Sequence, residues 1–485
     1  MNVSFLQELL NTVAEQSRSL LPKSLFGGGD EPSIEALARA LMSGRGEASG
    51  VAIARQLLHE LRKASADERR GFFRYLADEL QPDAGHVARA AEAYLAAPSE
   101  ATLADIQRAS ESPRREFFRR LNLAPGATSE IVALRRDLLR LAKSEPGMAA
   151  VDADLEKLLV AWFNRGFLVL RRIDWQTPAA ILEKIIAYEA VHEIKGWDDL
   201  RRRLDPQDRR CFAFFHPALV DEPLIFVEVA LMHGIPDAIA PVLGSRSSEV
   251  SERSAPPTTA VFYSISNCQE GLRGISFGNF LLKQVVEDLV RDVPSLKTFV
   301  TLSPVPHFAR WLDRLLGEDS RDGVSGLPAV SADDRRVLKL LRDPRWAEEA
   351  EAGGDQTVAL SDAVLSLAAS YFLQAKSADN RPVDPVARFH LGNGARLERI
   401  NWLGDVSEKG LREAHGLMVN YRYEPGDIER NHEAYAQDAT VAASRAVRGL
   451  VRAPAKPKGL GTVPDLLALP GVAKAKRKQE PDRTS

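Results

Sequence analysis

Residues 258–306, TTAVFYSISNCQEGLRGISFGNFLLKQVVEDLVRDVPSLKTFVTLSPVP, read as strand, glycine-rich turn, helix and strand. TAVFYSIS (259–266) is an unbroken apolar and β-branched run, the pattern of a strand buried on both faces. From Ser276 the period changes: Leu282, Val285, Val286 and Leu289 share one helical face, with Lys283, Gln284, Glu287 and Asp288 opposite. Pro294 ends that helix and LKTFVTL (296–302) begins the next strand. In the turn Arg273-Gly274-Ile275-Ser276-Phe277-Gly278-Asn279, glycines let backbone N–H groups approach a ligand, and the helix start adds partial positive charge. Such a turn suits a phosphate or pyrophosphate. The same glycines also serve a tight turn in any βαβ unit.

Outward from this segment, CFAFFH (211–216) and PLIFVEVALM (223–232) read as two further strands, and polar, Pro-rich residues 245–257 as a mobile connection. HFARWLDRLL (307–316) is a short amphipathic helix followed by a loop at 317–326, and 331–376 is a helical insertion. PVARFHL (385–391) and ARLERINWL (395–403) are expected as strands joined at Gly392-Asn393-Gly394, because Asn-Gly between strands signals a hairpin. A helix from Ser407 and a last strand, GLMVNYRY (416–423), complete the second half.

Residues 1–190 read as helical. Ser33 caps a helix after the Gly27-Gly28-Gly29 linker, Ser65 and Glu68 form a capping box, and Ser112-Pro113 opens another helix. Two of these helices look alike: Arg69-Arg70-Gly71-Phe72-Phe73-Arg74 and Arg114-Arg115-Glu116-Phe117-Phe118-Arg119. Each is expected to bury its Phe pair and expose its arginines to solvent, so the basic residues do not make a nucleic-acid site. Further helices run from Ser129 to Lys143, from Asp152 to Phe163, and from Thr177-Pro178 to near Gly196. Trp162, Trp175 and Trp197 are expected in core or interdomain packing. From Arg452 the tail carries eight basic and three acidic residues among scattered Pro and Gly, the composition of a disordered segment.

A length of 485 residues with 45% hydrophobic and 27% charged content suits a soluble multidomain protein. A net charge of −3 offers no global field for nucleic acid or an anionic membrane. Cys211 and Cys268, the only cysteines, are too few for a disulfide framework and are expected as reduced thiols. No apolar run reads as a membrane span, no secretory signal opens the chain, and RTS is not a peroxisomal address. The cytoplasm is the expected location. His216, His233 and His415 lack metal-ligand spacing, so no metal is expected. Ser303 lacks the G-x-S-x-G elbow of an α/β-hydrolase.

The turn at 273–279 resembles the acyl-CoA pyrophosphate loop of the GNAT acetyltransferase fold, whose pattern is Gln or Arg, two residues, Gly, one residue, then Gly or Ala. Arg273 and Gly278 match, while Ser276 stands where Gly is usual. Together with TLSPVP (301–306), HLGNGA (390–395) and GLMVNYRY (416–423), the resemblance narrows to the malonyl-CoA decarboxylase family, over most of the chain to about residue 450.

The resemblance implies an α+β multidomain chain: a helical bundle at 1–190 used in oligomerisation, then a GNAT-like mixed-sheet catalytic domain at 191–451 with the insertion at 331–376. The tail at 452–485 stands outside it. It further implies malonyl-CoA as substrate, acetyl-CoA and CO2 as products, and a homotetramer. Arg273, Gly274, Ile275, Ser276, Phe277, Gly278 and Asn279, with Asn393, are expected to contact the coenzyme. Ser303 takes a catalytic role on the malonyl carboxylate or the enolate oxygen, His390 protonates C2, and Tyr423 approaches the site. Pro304 holds Ser303 extended at a strand end, where open α/β sheets place ligands. His307, four positions on, is the local rival to His390 and reads as a packing or solvent-facing residue.

Loss of CO2 sends an electron pair into the thioester carbonyl, so the chemistry asks for enolate-oxygen donors, an acid for carbon, and a poorly solvated carboxylate. The thioester is the electron sink, so no metal or organic cofactor is expected. Two other readings compete: an acyl-CoA N-acetyltransferase, which would release no CO2, and a non-catalytic interaction protein, which would have no use for Ser303 and His390.

Overall fold

The computed structural model describes residues 32–43, 46–244, 255–275, 281–317, 328 and 330–452. Eight helices lie between Ile34 and Trp162 among these residues. Four of them pack together around the last: α1 (Ala66–Glu79), α2 (Pro113–Leu121), α3 (Ala127–Leu141) and α4 (Met148–Trp162). Ser33 and Ser112 cap their helices as expected, and Ser65 with Glu68 closes a full capping box.

The twin helices α1 and α2 meet through their phenylalanines. Phe72, Phe73, Phe117 and Phe118 are at most 1% exposed, and the rings of Phe72 and Phe117 lie 5.9 Å apart. Each such burial is worth about 1.5–3 kcal/mol. Their arginines are not all solvated, contrary to expectation. Arg69 is half-buried against Asp137 at 2.6 Å. Arg114 lies inside, its Nε donating to Asp154 on α4 at 2.7 Å and a terminal nitrogen reaching the carbonyls of Leu76 and Ala77. Arg114→Met should cost about 3–5 kcal/mol in urea unfolding, because Asp154 would be left charged and unpaired. Adding Asp154→Leu should recover most of that loss.

The second half is built on an eight-stranded mixed sheet: β1 (Val169–Ile173), β2 (Arg209–Phe215), β3 (Pro223–Met232), β4 (Thr259–Asn267), β5 (Thr298–Thr301), β6 (Ser303–Pro304), β7 (Arg396–Asn401) and β8 (Met418–Tyr423). The path is β1-β2-β3-β4-β5-β8-β6, with β7 on the other side of β8. Only β4 and β5 are parallel; their connection contains α7 (Leu281–Asp292), which buries Leu282, Val285, Val286 and Leu289 as its pattern requires. β5 and β6 act as one strand broken at Leu302, both paired with β8. A helical region followed by a mixed sheet is thus the observed order.

Alternation along β2 shows how the sheet is covered. Phe212 and Phe214 enter the large core shared with α7 and the helical region. Cys211, Ala213 and Phe215 face a smaller core beneath α5 (Ala179–Tyr188) and α6 (Trp197–Leu204). Both cysteines are free and buried.

Four local expectations need correction. The stretch before 190 is not wholly helical: VLRRI forms edge strand β1, antiparallel to β2. The helix from Thr177-Pro178 ends at Tyr188 rather than near Gly196. Trp175 and Trp197 are 39% and 42% exposed and pack edge-on against each other, with Arg201 over the Trp175 ring. One helix, α8 (Asp355–Leu373), does have the length and, over Gln356–Leu373, the mean hydropathy of 1.2 that would suffice for a membrane span. More than half of that window is buried inside the protein, which explains its apolarity.

Candidate active site

The site forms where the sheet opens. The parallel ladder of β4 and β5 runs from Thr259–Thr298 to Phe262–Thr301 and closes with Leu302 N–H on the Phe262 carbonyl at 3.0 Å. Beyond that bond β4 continues along β3 to Asn267, while Ser303 and Pro304 stay with β8. The two strand ends part, and a pocket of about 270 Å³ lies between them. Ser303, His390 and Asn267 supply its polar edge; Phe262, Val386 and Phe389 supply apolar wall. Its size fits a small acyl group and its thioester rather than a whole coenzyme.

His390 reaches the pocket from a helix, not from a hairpin strand. PVARFHLG is α9 (Pro385–Gly392), capped by Asp384, whose side chain accepts the Ala387 N–H at 2.7 Å, with Pro385 in its first turn. Asp384 is itself buried, which pushes its carboxyl up to about 6, and the Tyr371 hydroxyl of α8 bonds to it at 3.1 Å. Val386, Phe389 and His390 share the face of α9 turned to the pocket, as positions i, i+3 and i+4 do. Asn393-Gly394 ends the helix, with Gly394 at φ +80°. A Cβ there would stand 2.2 Å from the Ile428 carbonyl oxygen, so the chain passes only as glycine. The buried Asn393 amide donates to the Phe389 carbonyl at 2.7 Å, so its side chain serves the helix end.

A hydrogen-bonded chain runs through the site. His390 Nε2 lies 3.1 Å from Ser303 Oγ, although 87 positions separate the two residues. His390 Nδ1 lies 2.8 Å from the Tyr423 hydroxyl. Ser303 Oγ donates to Thr301 Oγ1 at 2.9 Å, and Thr301 Oγ1 also accepts the Tyr421 N–H at 3.1 Å. With the Ser303 hydrogen committed to Thr301, the network assigns the proton of neutral His390 to Nε2, donating to Ser303, and makes Nδ1 the acceptor from Tyr423. Strand alternation explains the set: Thr301 and Ser303 are two apart along one extended segment, as are Tyr421 and Tyr423 on β8. Tyr421 stacks on the imidazole, centroids 4.5 Å apart.

Burial sets the charge state. Ser303, His390 and Tyr423 are 6%, 3% and 3% exposed. Removal from water pushes the imidazole down to about 3 and holds the Tyr423 phenol well above its ordinary range. Near neutrality the chain is therefore an uncharged, oriented dipole relay.

The other expected residues are less gathered. Arg273, Gly274 and Ile275 follow the short 3-10 turn Glu270–Leu272 that leaves β4, while Ser276, Phe277, Gly278 and Asn279 lie outside the described residues. His307 precedes the helix Phe308–Leu316 and does not line the pocket. Thr301, Asn267 and Phe389 belong to the site without being singled out by any sequence motif. Thr301 had a signal, a polar residue two positions before Ser303 in an apolar strand; Asn267 closes an apolar strand beside the topological switch.

Comparison with known proteins gives a consistent answer. The malonyl-CoA decarboxylase C-terminal domain family matches residues 166–460, and the N-terminal domain family matches 80–163. The mitochondrial malonyl-CoA decarboxylase of Anser anser anser is 37% identical over 358 residues, 70% of each chain. Among solved structures, malonyl-CoA decarboxylase from Rhodopseudomonas palustris is 52% identical with a TM-score of 0.78, covering 86% of this chain and 98% of that one. The Agrobacterium vitis enzyme is 54% identical with a TM-score of 0.77, over 86% and 99%.

Proposed function

This chain belongs to the malonyl-CoA decarboxylase family, and from that premise we propose that its pocket converts malonyl-CoA to acetyl-CoA and CO2, as a carboxy-lyase. The observation that carries the reading is the 3.1 Å contact between Ser303 and His390 in one pocket at the splayed strand ends. Residues on opposite faces of the molecule could not share an intermediate.

In this reading the thioester lies across the opening with its malonyl end among Phe262, Val386 and Phe389. Apolar walls solvate a carboxylate poorly and favour its departure as neutral CO2. The C2–carboxylate bond breaks and its electron pair moves onto C2 and the thioester oxygen. The Ser303 hydroxyl rotates from Thr301 to that oxygen; a donor left on the departing carboxylate would instead stabilise the charge that has to be lost. His390 then gives its Nε2 proton to C2 while Nδ1 takes the Tyr423 proton, and solvent restores the tyrosine. A thioester enolate is basic enough to accept a proton from neutral imidazole, so His390 need not be charged. Tyr423 acts through His390.

Homo-oligomer formation through the helical region, with four copies, and a cytoplasmic location belong to the same proposal. Incubation with malonyl-CoA and no amine acceptor tests the reaction: release of CO2 with stoichiometric acetyl-CoA is expected. Turnover only when an amine is added would favour an N-acetyltransferase instead.

A further inference from the structure

The described half of the glycine loop rests on the helical region. Helix α3 lies so close to the turn Glu270–Leu272 that a Cβ on Gly271 would stand 1.9 Å from the Val132 carbonyl oxygen. Leu272 and Ile275 are buried in the common core. Arg135 of the same helix is 2% exposed and donates through one terminal nitrogen to two carbonyls of this segment, Gly271 at 2.8 Å and Arg273 at 2.9 Å. Its Nε donates to Asp152 of α4 at 2.7 Å, which fixes the guanidinium plane.

In a trans peptide the carbonyl and the following N–H point in opposite directions. By drawing the Arg273 carbonyl toward α3, Arg135 turns the Gly274 N–H away from it. Gly274 has φ +85°, and its N–H has no acceptor among the described residues. A loop that binds anions through N–H groups needs its carbonyls turned elsewhere, and here a buried arginine holds two of them.

We propose that Arg135 is a positioning residue for coenzyme binding: it holds the Gly274 N–H ready to donate to a pyrophosphate oxygen of the substrate. The inference rests on the acyl-CoA reading above. It makes the helical region part of the substrate site as well as a scaffold, with the Asp152–Arg135–carbonyl chain as the connection.

Full-length wild type, Arg135→Met, Arg135→Lys and Asp152→Asn are compared on malonyl-CoA and on malonyl-pantetheine, which lacks the pyrophosphate. Arg135→Met is expected to raise KM for malonyl-CoA at least tenfold with kcat within twofold, and to leave kcat/KM for malonyl-pantetheine within twofold. Arg135→Lys should recover part of the loss, since an ammonium reaches a carbonyl but cannot reproduce the fork. Equal losses on both substrates, or an unchanged KM for malonyl-CoA, would overturn the proposal. If circular dichroism finds Arg135→Met unfolded, Asp152→Asn and Arg135→Lys decide, with a rise of threefold or more in KM for malonyl-CoA alone expected and no rise refuting. Wild type that releases CO2 from neither substrate would sink the acyl-CoA reading itself, an outcome separate from any behaviour of the variants.

Discussion

His390→Ala is expected to lower kcat for CO2 release by about 10²–10⁴-fold, the usual contribution of a positioned general acid, with little change in KM. The imidazole stands between Ser303 and Tyr423, so its removal breaks the hydrogen-bonded chain that leads to the pocket. His390→Gln should be as slow, because an amide fills the space without relaying a proton. Either variant turning over at the wild-type rate, with native circular dichroism, would remove His390 from the mechanism.

The same burial predicts an unusual pH profile. With the imidazole depressed to about 3, kcat should show no inflection near 6.5, where an exposed histidine titrates. Stability follows the same sign. The unfolded chain binds this proton near 6.5 and the folded chain only near 3, so acid favours unfolding. The stability due to neutral His390 is whole above about pH 6.5 and is lost as pH falls toward about 3. His390→Gln should flatten part of that acid limb in urea titrations at pH 4–7.

Ser303→Ala is the second large effect, about 10²–10³-fold in kcat, the size of losing one donor to a developing oxyanion. A donor that acts on the enolate oxygen is felt in kcat with KM nearly constant. A rise in KM at unchanged kcat would place the hydroxyl on ground-state substrate instead, and would overturn the assignment to the enolate oxygen. Thr301→Val offers an internal control. It deletes the resting acceptor of the Ser303 hydroxyl without touching the pocket, so it should cost far less than Ser303→Ala.

Much of this architecture was written locally. The change from a β-branched run to a 3.6-residue period at 259–289 predicted β4 and α7, and the runs at 211–216 and 223–232 predicted β2 and β3. Capping residues placed helix starts because an N-cap needs only its own first turn. The miss at 385–394 has a plain cause. Asn-Gly supplies positive φ equally to a hairpin and to a helix end, and the deciding signal lay upstream, in the Asp384-Pro385 cap. Arg114 carries the same local pattern as Arg69, and that pattern does not show that Asp154, 40 positions on, and the carbonyls of Leu76 and Ala77 hold it inside.

Local sequence thus determined most of the strands and helices, β1 and α9 excepted, since residue type and short-range period carry that information within a few turns of chain, while the naming of Ser303, His390 and Tyr423 rests on the family resemblance of the segments around them. The tertiary structure alone decided that β4 and β5 part after Phe262, that Thr301 joins the relay, and that Arg135 grips the loop after β4. These depend on strand register and on contacts across 87 and 138 positions, set by how the cores close rather than by any neighbour in sequence.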